Sequence, residues 1–211
     1  MSAQRRRAGP SERADETRRR ILAGASELFA ERGYAATSLS DLLKATGVTK
    51  GGFYFHFPSK ARLALAVLEY KREQWAGRVL TAAMDKGEAL EQLRALATAF
   101  CELYQSDSSY RVLGRLYFEL AAEQPDLVPQ LRPHFTQWSN LVASLVRSAQ
   151  AQGDVRANVD ADAVAEIAVA SFLGMTELSF FSSDGADLNA RMSHFIEFFE
   201  AGLRPPSRSP S

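Results

Sequence analysis

Apolar residues recur at three- and four-residue spacing along almost the whole chain, and this spacing constrains the fold more than any other feature. The stripes begin near Ile21 and continue to Leu203. Gly33, Gly47 and Gly153 each follow a stripe, as expected of glycines that end helices. We find no convincing alternating pattern of a strand and no internal repeat. The sequence therefore predicts an all-α fold of about nine helices.

Helix ends can be placed from capping residues. Ser38 with Asp41 three residues later resembles a capping box and predicts a short helix to Thr46. Ser59 is a good N-cap for a long helix that continues to about Lys86. The terminal segments are polar and rich in Arg, Ser or Pro, so we expect disorder there. The predicted organisation is a disordered basic arm over 1–12, a three-helix domain over 13–58, a helical body over 59–203 and a disordered tail over 204–211.

Charge is divided unevenly along the chain. The formal net charge is zero, from 25 Lys and Arg against 25 Asp and Glu. Residues 1–72 hold 14 basic and 7 acidic residues. The remaining 11 basic and 18 acidic residues lie in 73–211. The two parts therefore carry +7 and −7. This split indicates that the first part meets an anion, with nucleic acid the leading candidate, although chance asymmetry would give the same count.

Composition also bears on the compartment. The single cysteine, Cys101, cannot form an internal disulfide. The first twenty residues are Arg-rich and lack the apolar core of a signal peptide, and no apolar run approaches the length of a membrane span. We therefore expect a protein of the reducing cytoplasm with no membrane partner.

The stretch TGVTKGGFYFHFPSK, residues 46–60, admits two interpretations. In the first, Lys50-Gly51-Gly52 is a hairpin turn followed by a strand. In the second, Thr49 caps a short helix. The hairpin lacks neighbouring strands that would stabilise it, so we favour the helix. A helix, a tight turn at Gly47 and a second short helix form a helix-turn-helix. Two glycines inside that helix suggest close approach to another backbone.

The run ILAGASELFAERGYAATSLSDLLKATGVTKGGFYFHFPSK resembles the DNA-binding domain of the TetR family of bacterial transcription regulators. The resemblance implies that the remainder is a helical ligand-binding and dimerisation body, and that the chain represses transcription from a palindromic operator. Lys50 can reach guanine acceptors in the major groove, and the hydroxyl of Tyr54 suits a phosphate. By resemblance, His56 lies near phosphate, although it could equally pack internally. The candidate DNA-binding residues are Thr37, Ser38, Thr49, Lys50, Gly51, Gly52, Tyr54, His56 and Lys60.

Other groups near the DNA-binding domain have more than one interpretation. The aromatic residues Phe53, Phe55 and Phe57 are expected mostly in the core. The basic runs at 5–7 and 18–20 could follow the minor groove or form a solvated tail.

Large aromatic residues with polar partners are concentrated in the acidic part of the chain. Rings with one hydrogen-bonding edge suit an apolar ligand with one or two polar atoms. The run PHFTQW, 133–138, resembles the branch of the family that receives butyrolactone-type signals in filamentous actinobacteria. Trp138 could instead be ordinary core. The candidate ligand-binding residues are Phe100, Tyr104, Tyr117, Phe118, Phe135, Trp138, Phe172 and Thr176.

The last two helices are the predicted dimer surface. Phe198 lies off the apolar stripe that faces the body, and Ala163, Ala170 and Gly174 on the preceding helix permit close approach. Alternatively, Phe198 covers the chain's own core. Motifs for nucleotide, metal or nucleophilic chemistry are absent, so we predict no catalytic residues, no metal site and no cofactor. Two other hypotheses remain open: a ligand-binding protein of the same fold without DNA, and an all-helical enzyme.

Overall fold

The computed structural model describes residues 10–84, 87–107, 110 and 112–205. This part of the chain contains nine α-helices and no strand, which confirms the predicted all-α class. The helices are α1 Pro10–Arg32, α2 Leu39–Thr46, α3 Lys50–His56, α4 Lys60–Met84, α5 Ala89–Ser106, α6 Val112–Glu123, α7 Val128–Gln152, α8 Ala161–Ser183 and α9 Leu188–Leu203, with a 3-10 turn at Pro125–Leu127.

Local capping explains the start of α2 and its separation from α3. The Ser38 hydroxyl accepts the backbone N–H of Asp41, and the Asp41 carboxylate accepts the Ser38 N–H in return. The Asp41 carboxylate accepts hydrogen bonds from the Ser38 hydroxyl and from the Ser38 backbone N–H, and these two bonds hold the pKa of Asp41 below its ordinary value. Gly47 follows with φ of 64°, a left-handed conformation that favours glycine. The predicted capping box and turn are both confirmed.

Contacts divide the chain into two compact units. Unit 1 is Met1–Glu73 with Ser109–Leu127, and unit 2 is Gln74–Ser108 with Val128–Ser211. The division falls inside α4 and assigns α6 to the same unit as the helix-turn-helix. It differs from the sequence-based boundary at 58/59, which uses chain order alone; the domain boundaries therefore stay a prediction.

Each unit has its own apolar core. In unit 1, fully buried side chains from α1, α2, α3 and α4 meet: Ile21, Leu22, Leu42, Phe53, Leu63 and Leu68. In unit 2, α7 packs against α5 and α8, and α9 packs against α5 and α8. The carboxylate of Glu200 on α9 is buried and pairs with Arg94 of α5 and Arg204.

The chain ends differ from expectation in one respect. Helix α1 begins at Pro10, so 10–12 belong to a helix rather than to the predicted arm. Arg18, Arg19 and Arg20 also lie within α1. Proline is well suited to a first helical turn because its missing N–H has no partner there. Residues 1–9 and 206–211 lie outside the described residues.

Candidate nucleic-acid interface and effector-binding region

Helix α3 presents one face to the core of unit 1 and the opposite face outward. Phe53 is fully buried. At about 100° per residue, Gly51 and Phe55 lie roughly opposite Phe53, with Lys50 and Tyr54 on one flank. Thr49 caps the helix by accepting the N–H of Gly52 at 3.1 Å. Lys50 is exposed, so a charged side chain and an open backbone point away from the protein.

Gly51 and Gly52 of α3 differ in the space that a side chain would have at each position. A Cβ at Gly51 would meet no atom within 4 Å, so the protein itself leaves this position open. A Cβ at Gly52 would lie 2.9 Å from Cγ1 of Val48, closer than real contacts allow. Gly52 is therefore needed by its own turn, and only Gly51 remains as a glycine that would let another molecule approach closely.

The aromatic residues of α3 do not share one role. Phe53 and the C-cap residue Phe57 are buried, as expected. Phe55 is 78% exposed, so it is the exception to the core packing expected for most of these rings. Helical geometry explains this exception because Phe53 and Phe55 differ by about 200° around the axis. Tyr54 is 47% exposed.

His56 is part-buried and packs between aromatic rings. Its ring lies edge-on to Phe55 at 5.0 Å between centroids and tilted against Phe57 at 6.4 Å. The structure thus gives His56 a packing environment, and its contact with phosphate stays a prediction.

Thr37 and Ser38 use their hydroxyl hydrogens within the protein. Thr37 is 0% exposed and donates to the carbonyl of Gly33 at 2.7 Å, so its hydroxyl is not available to DNA. This corrects its candidate role. Sequence indicated a polar residue near the start of α2, but not that the side chain points inward. Ser38 is exposed, and its hydroxyl donates to Asp41 at 2.5 Å within the capping box.

Lys60 is an internal donor in this structure. Its Nζ donates to the carbonyls of Tyr34 at 2.9 Å and Thr37 at 3.0 Å, and lies 4.0 Å from the centre of the Tyr34 ring. Two of its three N–H groups are therefore used to hold the turn between α1 and α2. The predicted contact between Lys60 and a phosphate would have to use the third N–H group.

Glu119 of α6 holds the same turn from another side, and sequence analysis missed it. Its carboxylate accepts the backbone N–H of Tyr34. Gly33, with φ of 78°, brings the chain so close that a Cβ there would lie 2.9 Å from Oε1 of Glu119. Burial of Tyr34, with Glu123 nearby, raises the pKa of its phenol. Residues 85 apart in sequence offer no local signal for such a pairing.

The arginines of α1 have partners of their own. Arg18 lies over the ring of Phe57, 5.4 Å from its centre, and Arg19 pairs with Glu16 at 3.2 Å. Neither residue belongs to an extended arm, while Arg5, Arg6 and Arg7 lie outside the described residues.

Four aromatic rings form a cluster in unit 2. Trp75 of α4 lies edge-on to Phe100 at 4.5 Å and to Trp138 at 5.0 Å between centroids. Phe100 also contacts Trp138 at 4.8 Å and Phe172 at 5.0 Å. Trp75 and Phe100 are buried, whereas Trp138 and Phe172 are only part-buried. The structure thus brings together three of the candidate ligand-binding residues.

Two polar candidates of unit 2 donate within the protein. The Tyr104 hydroxyl donates to the carbonyl of Thr176 at 3.1 Å. The Thr176 hydroxyl donates to the carbonyl of Leu173 at 2.8 Å. Because each hydroxyl already uses its hydrogen, a ligand that hydrogen-bonds to either oxygen would have to supply the donor. Phe135 of the same unit is part-buried.

Tyr117 and Phe118 belong to unit 1, whereas the other six candidate ligand-binding residues belong to unit 2. Burial raises the pKa of the Tyr117 phenol. Phe118 is 60% exposed, so it does not line an enclosed site within its unit. Both were predicted as ligand contacts because they are aromatic residues of the acidic part of the chain, and the sequence does not show that residues 109–127 belong to unit 1.

The outer face of α8 and α9 is apolar and open. Ile167, Leu178 and Phe181 of α8 are exposed, and a Cβ added at Gly174 would meet no atom within 4 Å. Phe198 of α9 is 81% exposed, which rules out the alternative that it covers the chain's own core. Within the described residues, α8 alone is long and apolar enough to cross a membrane, judged by length and composition. The expectation that no apolar stretch reaches that length is therefore wrong.

The described residues contain no group of three or more His, Cys, Asp or Glu that could hold a metal ion. Cys101 is buried on α5, and burial raises the pKa of its thiol to about 11. A thiol with so high a pKa is a poor nucleophile at neutral pH.

Family comparisons agree with the helix-turn-helix and cover most of the chain. Residues 21–67 match the family model described as bacterial regulatory proteins, tetR family. Residues 89–195 match the model described as a tetracyclin repressor-like C-terminal domain. The two models therefore account for the recognition helix and for much of the helical body.

Individual relatives are similar over nearly the same span. The chain is 27% identical to the transcriptional repressor BepR of Brucella suis biovar 1 (strain 1330), over 93% of this chain and 96% of BepR. It is 29% identical to the A-factor receptor protein of Streptomyces griseus, over 86% of this chain and 61% of that protein. A solved structure described as the molecular basis for control of antibiotic production by bacterial hormones has a TM-score of 0.78 and 32% identity, covering 90% of this chain and 98% of its own. The chain is therefore a DNA-binding transcriptional regulator of the TetR family.

Proposed function

We propose that this regulator is a repressor that binds a palindromic operator as a homodimer and leaves the DNA when a small, mostly apolar effector binds. The observation that carries the proposal is the outward face of α3, where exposed Lys50 lies beside the open backbone at Gly51. The excess of basic residues in 1–72 supports the same partner. Because its target is DNA, we expect the protein to act in the cytoplasm.

Binding to DNA can be tested by selecting sites from a random duplex pool and measuring affinity against salt. Lys50→Ala should weaken binding and change base preference because lysine reads guanine acceptors. A variant that no longer neutralises one phosphate should have a log–log salt slope lower by about 0.9. Arg78→Ala is the matched control, since Arg78 is exposed but lies in unit 2. If the wild-type protein binds no duplex in a salt-dependent way, a ligand-binding protein that has lost DNA binding becomes the better hypothesis.

A second copy of this chain is the proposed partner of α8 and α9. Exposed Ile167, Leu178, Phe181 and Phe198 would otherwise face water, which is unfavourable for a continuous apolar surface. Open Gly174 permits a neighbouring helix to come close. One recognition helix makes few contacts, and a two-fold dimer would place two of them about 34 Å apart on one face of a palindrome.

Phe198→Glu tests this surface because it places a charge in the proposed interface. We expect monomers in light scattering and weaker operator binding. Phe118→Glu is the matched control, as Phe118 is an exposed phenylalanine of unit 1. A Phe198→Glu protein that remains dimeric with native stability would refute the placement.

The aromatic cluster of unit 2 is the proposed effector-binding region. Trp138 and Phe172 are part-buried beside the buried Phe100, so a ligand could contact rings already in place. The similarity to the A-factor receptor and to the hormone-controlled regulator supports a butyrolactone-type effector. A roughly 100-fold preference of effector for the DNA-free state would correspond to about 2.7 kcal/mol of coupling.

Trp138→Ala separates a ligand contact from a structural role. A ligand-contacting Trp138 predicts normal folding and DNA binding but no release by an acyl-γ-butyrolactone. A purely structural Trp138 predicts a loss of about 3–5 kcal/mol in unfolding free energy. Mass spectrometry of molecules that co-purify with the wild-type protein would identify the effector directly. A folded mutant that still releases DNA normally contradicts the assignment.

A further inference from the structure

Phe55 occupies the centre of the outward face of α3, yet no contact of the protein's core explains it. It is 78% exposed, and its backbone position lies about 200° around the helix from buried Phe53. Gly51 precedes it by one turn on the same face, about 40° away. A bulky apolar ring therefore stands where the proposed DNA-binding function, on which this inference rests, brings base edges closest.

The chemistry of a phenyl ring limits what it can recognise there. Phenylalanine has no hydrogen-bond donor or acceptor on its side chain, so it cannot read the polar pattern of a base pair. In the major groove, the thymine C5-methyl is the apolar group that a base edge presents. We propose that Phe55 selects thymine in each half-site by packing against this methyl group.

Neighbouring residues favour this contact. The open position at Gly51 lets the helix backbone approach the groove, which brings the ring of the next turn within reach of base edges. The His56 ring lies edge-on to Phe55 at 5.0 Å and restricts the orientations that the phenyl ring adopts. Lys50 and Tyr54 lie on the flank of this face, where they would hydrogen-bond to guanine or to phosphate. Neither contact recognises the thymine methyl group, so the preference for thymine would come from Phe55.

Removing only the methyl group provides a direct test. The full-length protein selects its site from a random duplex pool, and each thymine of that site is then replaced in turn by deoxyuridine. Loss of one buried methyl should weaken binding about four-fold, and loss in both half-sites about fifteen-fold. The expected result is one symmetry-related pair of thymines at which wild type prefers thymine by this factor.

The variants Phe55→Ala and Phe55→Leu connect the effect to the ring. Phe55→Ala should bind the thymine and deoxyuridine sites equally, with a salt slope like that of wild type. Phe55→Leu should keep part of the preference, and circular dichroism should show both variants folded because the ring is exposed. The inference is overturned if wild type binds its site but ignores deoxyuridine at every position, or if Phe55→Ala retains the preference. Absence of any salt-dependent DNA binding by wild type would instead overturn the proposed function itself.

Discussion

Removing the carboxylate of Glu119 tests how the turn between α1 and α2 is held. In the native protein this carboxylate accepts the backbone N–H of Tyr34, and Tyr34 is itself buried. Glu119→Ala leaves that N–H without its acceptor. Hydrogen bonds to charged groups contribute about 1.5–3 kcal/mol, so the free energy of unfolding should fall by about that amount. For a chain of this length the melting temperature should fall by roughly 3–12 °C.

Thermal unfolding followed by circular dichroism measures this effect, and two variants sharpen it. Glu119→Gln keeps an acceptor oxygen and should lose less stability than Glu119→Ala. Glu102→Ala removes an exposed carboxylate from α5 and should change the melting temperature little. A Glu119→Ala protein as stable as wild type would show that the Tyr34 N–H has no need of this acceptor.

A double-mutant cycle with Gly33 isolates the contact further. Gly33→Ala forces an L-residue to φ near 78°, which costs about 1–2 kcal/mol in any background. Its Cβ also collides with the Glu119 carboxylate at 2.9 Å, but only while that carboxylate is present. Gly33→Ala should therefore be less harmful in the Glu119→Ala background. Strictly additive changes in unfolding free energy would refute the proximity argument.

Three other changes give distinct readouts. Lys60→Ala removes hydrogen bonds to the carbonyls of Tyr34 and Thr37, so it should lower the melting temperature. If the log–log salt slope of DNA binding is unchanged, Lys60 makes no phosphate contact. A slope lower by about 0.9 would show that it does. Hydrogen bonds from Arg191, Ser179 and Ser183 hold the pKa of Asp187 well below its ordinary 3.8, so its contribution to stability is present above about pH 4 and is lost as pH falls further. Asp187→Asn should therefore lose stability at pH 7 but differ less from wild type in acid, and a difference independent of pH would contradict this. With burial raising the thiol pKa to about 11, Cys101 should react with Ellman's reagent at pH 8 only after unfolding; rapid labelling of the native protein would disprove its burial.

Sequence reasoning succeeded where the determining contacts are local. The capping box of Ser38 and Asp41 and the left-handed Gly47 each involve residues within one turn, so a short window contains the whole cause. The same holds for Thr49 at the start of α3. Periodicity predicted nine helices because each stripe repeats over many residues.

The same reasoning was incomplete where burial depends on distant partners or on direction around a helix. Phe55 belongs to a dense aromatic run, but the helix turns it outward while Phe53 and Phe57 pack inside. The Lys60 ammonium was assigned to phosphate from its position at a helix start, and the sequence did not indicate that it also donates to two carbonyls of the turn after α1. Glu119 could not be found because its partner, the backbone N–H of Tyr34, lies in a turn 85 residues away in the sequence.

The membership of α6 in unit 1 has a consequence for attempts to exchange DNA-binding heads between relatives. A fragment that stops at Glu73 contains the entire helix-turn-helix but lacks Ser109–Leu127. It would lose the Glu119 acceptor together with the apolar cover from Leu116 and Leu120, which are buried. Such a fragment should aggregate or melt early. A chimera that transplants recognition specificity should therefore carry both segments of the donor, or graft only α3 onto an otherwise unchanged unit.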